Sequence, residues 1–198
     1  MDINGNRILY QLEKNYEKGG TKMIKIFYSS AYKVKHENIN EENALAMLQS
    51  DIRSKIIGDT KQFVYGSDGV ILKNNPNVLY LGGFYYEQPK FENCKYGECE
   101  NTVKNELAQI DEADMVLISL LQYSAIATIT ELLYASFKKK KTIVFCSKNI
   151  TQFKTEYEYW FPLITGMTIN QDITIKYVKT EDEIVSYINN LKEDKVGK

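Results

Sequence analysis

Met115-Val116-Leu117-Ile118-Ser119-Leu120 is an unbroken apolar run. After a short polar break it is followed by Ile126-Ala127-Thr128-Ile129-Thr130-Glu131-Leu132-Leu133-Tyr134-Ala135 and then by Thr142-Ile143-Val144-Phe145-Cys146. An apolar run of strand length, bounded by polar residues, is what a strand buried on both faces requires. The middle segment, roughly Ile126 to Lys138, has the length and composition of a helix. A strand, a helix and a second buried strand in close succession make a βαβ unit, whose two strands run parallel.

Upstream of this unit, Met23-Ile24-Lys25-Ile26-Phe27-Tyr28 reads as the first strand, ending at Ser29-Ser30. Asn40-Glu41-Glu42 opens a helical pattern that carries Ala44, Leu45, Leu48, Ile52 and Ile56, and Gly58 stops it. Phe63-Val64-Tyr65 and Val70-Ile71-Leu72 flank Gly66-Ser67-Asp68-Gly69 and predict a hairpin. Val78-Leu79-Tyr80-Leu81 is another strand, broken by Gly82-Gly83. A loop rich in Cys, Gly and Glu then leads into a helix ending near Glu112. Downstream, Tyr157 to Ile164 reads as an aromatic-rich helix and Ile173 to Val178 as a strand. Glu181 to Leu191 reads as a last helix, with Thr180 and Glu183 as its capping box. Strands alternate with helices throughout. The expectation is a single-domain α/β protein, a flavodoxin/Rossmann-like three-layer sandwich with a mostly parallel five-stranded sheet. The domain spans 23–192, after an N-terminal arm or helix at 1–22 and before a flexible tail at 193–198. A ligand belongs at the C-terminal ends of the strands.

Composition narrows the function classes. The chain has 198 residues, 43% apolar and 26% charged, with a formal net charge of −1. These values suit a soluble globular domain. They offer no electrostatic reason for nucleic acid or an anionic membrane as a partner. Lys138 to Lys141 reads as a solvated helix end, where cations are favoured. Met1 to Lys22 has no apolar core of a signal peptide, and Met115 to Thr130 is short for a membrane span. Cys94, Cys99 and Cys146 are odd in number and lack metal-site spacing, so reduced thiols in a cytoplasm are expected. With His36 as the one histidine, a His-ligated metal or a Ser-His triad has little basis, and no metal or cofactor is expected. The 15 tyrosines suit pocket lining, or simply a codon bias.

Three segments that follow buried strands can meet at the ligand-binding rim: Tyr28-Ser29-Ser30, Gly82-Gly83-Phe84-Tyr85, and Gln122-Tyr123-Ser124 leading into the helix of Glu131. Glu131 stands out physically. From Ala125 to Ala135 it is the one charged residue. A lone carboxylate in an apolar helix is costly to bury without a partner or solvent. Burial raises its pKa, while the nearby helix N-terminus favours the ionised form. Two readings stay open at this point, a rim-exposed glutamate and a working carboxylate.

Thr128-Ile129-Thr130-Glu131-Leu132-Leu133-Tyr134-Ala135, followed by lysines and a strand, resembles the signature helix of nucleoside 2-deoxyribosyltransferases, Gly-Thr-x-x-Glu-(Ile/Leu)-Gly-Tyr-Ala. Glu106-Leu107-Ala108-Gln109-Ile110-Asp111-Glu112-Ala113-Asp114 is similar to that family's Asp-Leu-x-x-Ile-x-x-Ala-Asp segment. Tyr80-Leu81-Gly82-Gly83-Phe84-Tyr85 resembles a Tyr-Val-Gly-Pro-Phe-Phe segment of one branch. In that branch a Cys-x-His-Gly loop follows, matched by Cys94-Lys95-Tyr96-Gly97. Asp51-Ile52-Arg53 is set against an Asn-Asp-Trp-Arg segment. The resemblance covers roughly 23–147 and is densest over 103–147.

The resemblance implies that Glu131 attacks C1′ of a nucleoside, releases the base and forms a glycosyl-enzyme ester, which another base or water resolves. It implies that Glu106 helps manage the proton on the leaving base. The expected catalytic residues are Glu131 and Glu106. Tyr28, Ser29, Gly82, Gly83, Phe84, Tyr123, Ser124 and Thr128 are the expected substrate-binding residues. The expected partner is a small-molecule nucleoside or nucleotide, and family members tend to complete their pocket from a neighbouring subunit, which implies a homo-oligomer.

The departures define the alternatives. Ala127 and Leu133 stand where the family has Gly, Glu106 where it has Asp, and Tyr96 where it has His. Hydroxyls at Tyr123 and Ser124 beside a helix N-terminus suit a phosphate, so a nucleotide substrate is open. A catalytically degenerate nucleotide-binding or sensor module is the second reading, and a nicotinamide-dinucleotide glycohydrolase the third. Asp111 and Asp114 read as solvated helix-end and strand-start residues. Tyr157, Tyr159, Trp160 and Phe161 read as packing, a lid or a subunit contact.

Overall fold

The structure, a computed structural model, describes residues 23–31, 51–58, 69–82, 96–121, 126–147 and 173–192. In chain order these form β1 (Ile24–Ser30), α1 (Ile52–Ile57), β2 (Val70–Leu72), β3 (Asn75–Gly82), α2 (Tyr96–Glu112), β4 (Met115–Leu120), α3 (Ile126–Phe137), β5 (Lys141–Ser147), β6 (Ile173–Val178) and α4 (Glu181–Asn189). The strands join in one sheet with the order β2-β3-β1-β4-β5-β6. All neighbours run parallel except β2 and β3. The α/β fold is therefore as expected, but the sheet has six strands, not five.

Every residue of β4 is buried, which is why its sequence carries no alternation. The sheet's side-chain alternation sorts the core into two layers. On one face Ile26, Tyr28, Leu117, Ile143 and Phe145 pack with Ile52, Ile56 and Ile57 of α1 and with Ile184 and Ile188 of α4. On the other face Phe27, Val116, Ile118, Val144 and Cys146 pack with Ile110 of α2 and with Leu132 and Ala135 of α3. Each large aliphatic side chain removed from water this way contributes about 1.5–3 kcal/mol.

This layering positions the site. β1 lies between β3 and β4, with Ile26 to Ser30 in register with Met115 to Ser119. After β1 the chain passes through α1 on one face and on to β3. After β4 it passes through α3 on the opposite face and on to β5. The connections diverge between the C-terminal ends of β1 and β4, and a crevice opens where strand order reverses in this way.

Some local elements differ from the sequence reading. Val70–Leu72 forms its hairpin with β3 through Lys73 and Asn74, because Leu72 pairs with Asn75. The expected partner strand at 63–65 lies outside the described residues. Of the helix expected to run from Asn40 through Ile56, residues 40–50 lie outside the described residues, and the described part starts afresh at Asp51. Asp51 is extended (φ −68°, ψ 141°) and caps α1 by accepting from the Arg53 N–H. A capping carboxylate satisfies a backbone donor that the helix start leaves free. Gly58 ends α1 as expected, with φ 79° and its N–H on the Ser54 carbonyl. The Thr180–Glu183 capping box does not form. Thr180 makes no side-chain cap, and Glu183 accepts from the Lys179 N–H at 3.0 Å instead. Residues 94–97 were read as loop, yet α2 begins at Tyr96. The helix expected at 157–164, the arm at 1–22 and the tail at 193–198 lie outside the described residues. No helix among the described residues is long and apolar enough to cross a membrane.

The lysines after α3 form a largely exposed helix end, as expected, and two of them also make contacts. Lys138 pairs with Asp111 at 3.1 Å, and Lys140 donates to the carbonyls of Asp111 and Ala113. Asp111 also accepts from the Tyr134 hydroxyl at 2.9 Å, so it fastens α2 to α3. Asp114 accepts from the Lys25 N–H at 2.9 Å, across the start of β1.

Candidate active site

Glu131 sits in the second turn of α3, and Thr128 precedes it by three residues on the same helix face. The last turn of β1 side chains faces them. Ser29 points to the α2/α3 side of the sheet, and its hydroxyl donates to Glu131 Oε2. The Ser29 and Thr128 hydroxyls lie 3.1 Å apart. A serine hydroxyl has one proton. With that proton on the carboxylate, Thr128 is the donor to Ser29 in the second bond. A relay thus runs from Thr128 through Ser29 to Glu131, built from two elements at the β1–β4 divergence.

Glu131 is partly buried. Burial pushes its carboxyl up to about 7; the Ser29 hydrogen bond opposes this, the Glu106 carboxyl adds to it, and the Arg53 cation opposes it. Glu106 comes from α2, where burial also raises it, against the pull of Arg53. Both carboxyl groups are raised by burial, and the Glu106 carboxyl adds to the rise at Glu131, because a neighbouring carboxylate disfavours a second negative charge. A pair of carboxyl groups in differing environments is the raw material of an acid–base or nucleophile–acid pair.

The opposite face of the same strand ends holds residues that the sequence reading did not assign to the site. Arg53 and Asp51 form a buried pair at 3.2 Å, each side chain 2% exposed. The guanidinium also donates to the Ser30 carbonyl and lies 5.7 Å from the centre of the Tyr28 ring. Burial pushes the Tyr28 phenol above its ordinary range, and the Arg53 charge and the Ser30 and Ser119 hydroxyls pull the other way. One signal in the sequence marks this layer: Arg53 is a cation between Ile52 and Ile56-Ile57, inside an apolar helix pattern.

The expected site residues therefore fall into groups. Ser29, Thr128 and Glu131 are in contact, and Glu106 joins them electrostatically. Tyr28 lies on the other face of β1, fully buried against α1. Gly82 ends β3, next to Gln109 and Phe27. The register there slips, so that Leu81 and Gly82 together span the step from Ile26 to Phe27. Gly83, Phe84, Tyr123 and Ser124 lie outside the described residues. Among the described residues no group of three His, Cys, Asp or Glu side chains is placed to hold a metal.

No protein-family model matches the chain, and no curated protein sequence matches it. Among the solved structures that align with most of it are the following two. One is the CMP N-glycosidase BcmB of Clostridium botulinum, with 14% identity and a TM-score of 0.42, covering 83% of this chain and 97% of that one. The other is a conserved protein from Enterococcus faecalis V583, with 11% identity and a TM-score of 0.44, covering 84% and 97%. Likeness at this level carries no chemistry to this chain; its own residues must do so.

Proposed function

We propose that this protein cleaves the N-glycosidic bond of a nucleoside or nucleotide, with Glu131 as nucleophile, and passes the sugar to water or to another base. The observation that carries the reading is the hydrogen bond from Ser29 to Glu131 at the strand-order reversal. It fixes one oxygen of a partly buried carboxylate and leaves the other for a reacting carbon. The resemblance of residues 103–147 to nucleoside 2-deoxyribosyltransferases supports the same role.

In the first step an ionised Glu131 oxygen bonds to C1′ as the bond from C1′ to the base nitrogen breaks. The base leaves with that electron pair and takes a proton from Glu106, the carboxyl group that α2 brings to bear on Glu131. In the second step water or an acceptor base attacks C1′, the ester bond to Glu131 breaks with its electron pair returning to the carboxylate, and Glu106 takes the proton that the attacking water or base gives up. A carboxylate suits an oxocarbenium-like carbon, as in retaining glycosidases. Ser29 orients the nucleophile and keeps enough of it ionised to react.

The test is release of free base from a panel of nucleosides and nucleoside monophosphates, followed by chromatography. Base release is expected from at least one of them, with a loss of about a thousandfold or more in Glu131→Gln. Mass spectrometry of the quenched reaction should find a sugar ester on the peptide containing Glu131. No base from any substrate, or full activity in Glu131→Gln, overturns the reading.

A further inference from the structure

We propose that Arg53 is a positioning residue of the Glu131 site: its buried guanidinium clamps the end of β1 from the α1 face and so holds Ser29 against the carboxylate on the α3 face. The inference rests on Glu131 being the working carboxylate. It adds a residue that acts through Ser29 rather than on the substrate.

Both terminal nitrogens of the guanidinium are used. Arg53 Nη1 lies 3.2 and 3.4 Å from the two oxygens of Asp51. Nη2 donates to the Ser30 carbonyl. The plane's centre sits 5.7 Å from the Tyr28 ring. Asp51 is itself fixed, because the same carboxylate caps α1 on the Arg53 N–H at 2.9 Å. A planar guanidinium with several directed donors can serve a carboxylate and a carbonyl together, whereas a lysine ammonium acts as a point charge.

A buried ion pair is a poor device for stability alone, since apolar residues of similar volume often serve as well. What this pair does hold is a particular piece of backbone. Ser30 is the residue after Ser29, and successive strand residues face opposite sides of the sheet. Gripping the Ser30 carbonyl from one face therefore fixes the direction of the Ser29 hydroxyl on the other. The clamp also carries charge to the site. The groups that bear on Glu131 among the described residues are Ser29 from β1, Glu106 from α2 and Arg53 from α1. The Arg53 cation lowers both Glu131 and Glu106 against the effect of burial.

The full-length protein, labelled with 13C at glutamate carboxyls and 15N at arginine side chains, provides the test by NMR titration. In the wild type the Glu131 carboxyl should titrate near pH 7, and the Arg53 side-chain signals should inflect at the same pH, because coupling between two groups is reciprocal. In the neutral pair Asp51→Asn/Arg53→Met the Glu131 midpoint should rise by about one unit. In Arg53→Lys the charge remains, so the midpoint should stay within about half a unit, while the Ser29 and Ser30 amide signals move. Arg53 signals that stay flat through the Glu131 titration overturn the proposal. So does a folded neutral pair that titrates as the wild type does, or an Arg53→Lys variant with unmoved Ser29 and Ser30 amides. If the neutral pair does not fold, the wild-type and Arg53→Lys titrations decide. None of these readouts needs turnover, so failed base release leaves them intact. Flat Arg53 signals together with an inactive Glu131→Gln would remove the clamp and keep the nucleophile.

Discussion

Ser29 and Glu131 stand 102 residues apart in the chain and meet through one hydrogen bond at the C-terminal end of the sheet. Ser29 reaches that place because β1 pairs with β4, whose C-terminal end leads towards α3. The bond favours the ionised carboxylate, so it opposes the upward push of burial. Ser29→Ala removes it. The Glu131 midpoint should rise from about 7 by roughly one unit, about 1.4 kcal/mol. Less of the nucleophile is then ionised at neutral pH. The acid limb of the base-release rate should move to higher pH by the same amount, with a smaller difference from wild type in alkaline solution. A pH–rate profile of both proteins checks this.

The raised carboxyl has a cost in stability whose sign can be worked out. Unfolded, a glutamate titrates near 4.5; folded, Glu131 titrates at about 7. The folded state therefore binds the proton more tightly. Any stabilisation from this group is fully present below pH 4.5 and is lost as pH rises through 7. Glu131→Gln is neutral at every pH, and its amide oxygen can still accept from Ser29. The variant should be more stable than wild type at pH 8 by on the order of 2 kcal/mol, with the difference vanishing near pH 4.5. Denaturant midpoints at the two pH values measure it. Activity lost together with stability gained is the pattern of a functional carboxylate held under strain.

What could be read directly from the chain was set by burial. β4 and β5 are covered on both faces, so their apolar runs mark strands without ambiguity. Glu131 was visible because every neighbour in its helix pattern is uncharged. The hairpin of β2 with β3 was not legible, because Lys73-Asn74 carries weaker local turn chemistry than Gly66-Ser67-Asp68-Gly69 and the pairing is set by the sheet. The capping box failed for a similar reason: the Glu183 carboxylate found the Lys179 N–H one residue before the cap. The Asp51–Arg53 layer under the site was not legible in role. Its meaning depends on the Ser30 carbonyl, 23 residues away, and no local pattern encodes that contact.

Asn75 offers a test of the fold that leaves the site alone. It is buried at the start of β3, and its amide donates to the carbonyls of Ile188 at 3.2 Å and Leu191 at 3.0 Å. The Ile188 carbonyl also accepts from the Leu191 N–H at 3.2 Å, so Asn75 adds a second donor where the end of α4 runs out of helical ones. Asn75→Ala should destabilise by about 1–3 kcal/mol, since it removes two buried hydrogen bonds. The Glu131 titration should be unchanged, because Asn75 caps a helix at the far end of the sheet's other face. Thermal melts and the carboxyl titration report the two halves of this expectation separately.

Gly82 links packing to chemistry. A Cβ placed there would lie 2.6 Å from Gln109 Cδ and 2.9 Å from Phe27 Cδ2, and closer still to Gln109 Oε1. The glutamine side chain can swing away, but Phe27 is fully buried in the core and cannot. Gly82→Ala should therefore destabilise by about 1–3 kcal/mol through overpacking. Adding Gln109→Ala should recover only part of that loss. Gln109 follows Glu106 by three residues, on the same face of α2. A displaced α2 would carry Glu106 away from Glu131 and weaken the repulsion between them. The Glu131 midpoint in Gly82→Ala should consequently fall below about 7, opposite in direction to Ser29→Ala. A midpoint that stays put while the melting temperature drops would mean that Gly82 serves packing alone and leaves the carboxylate pair where it is.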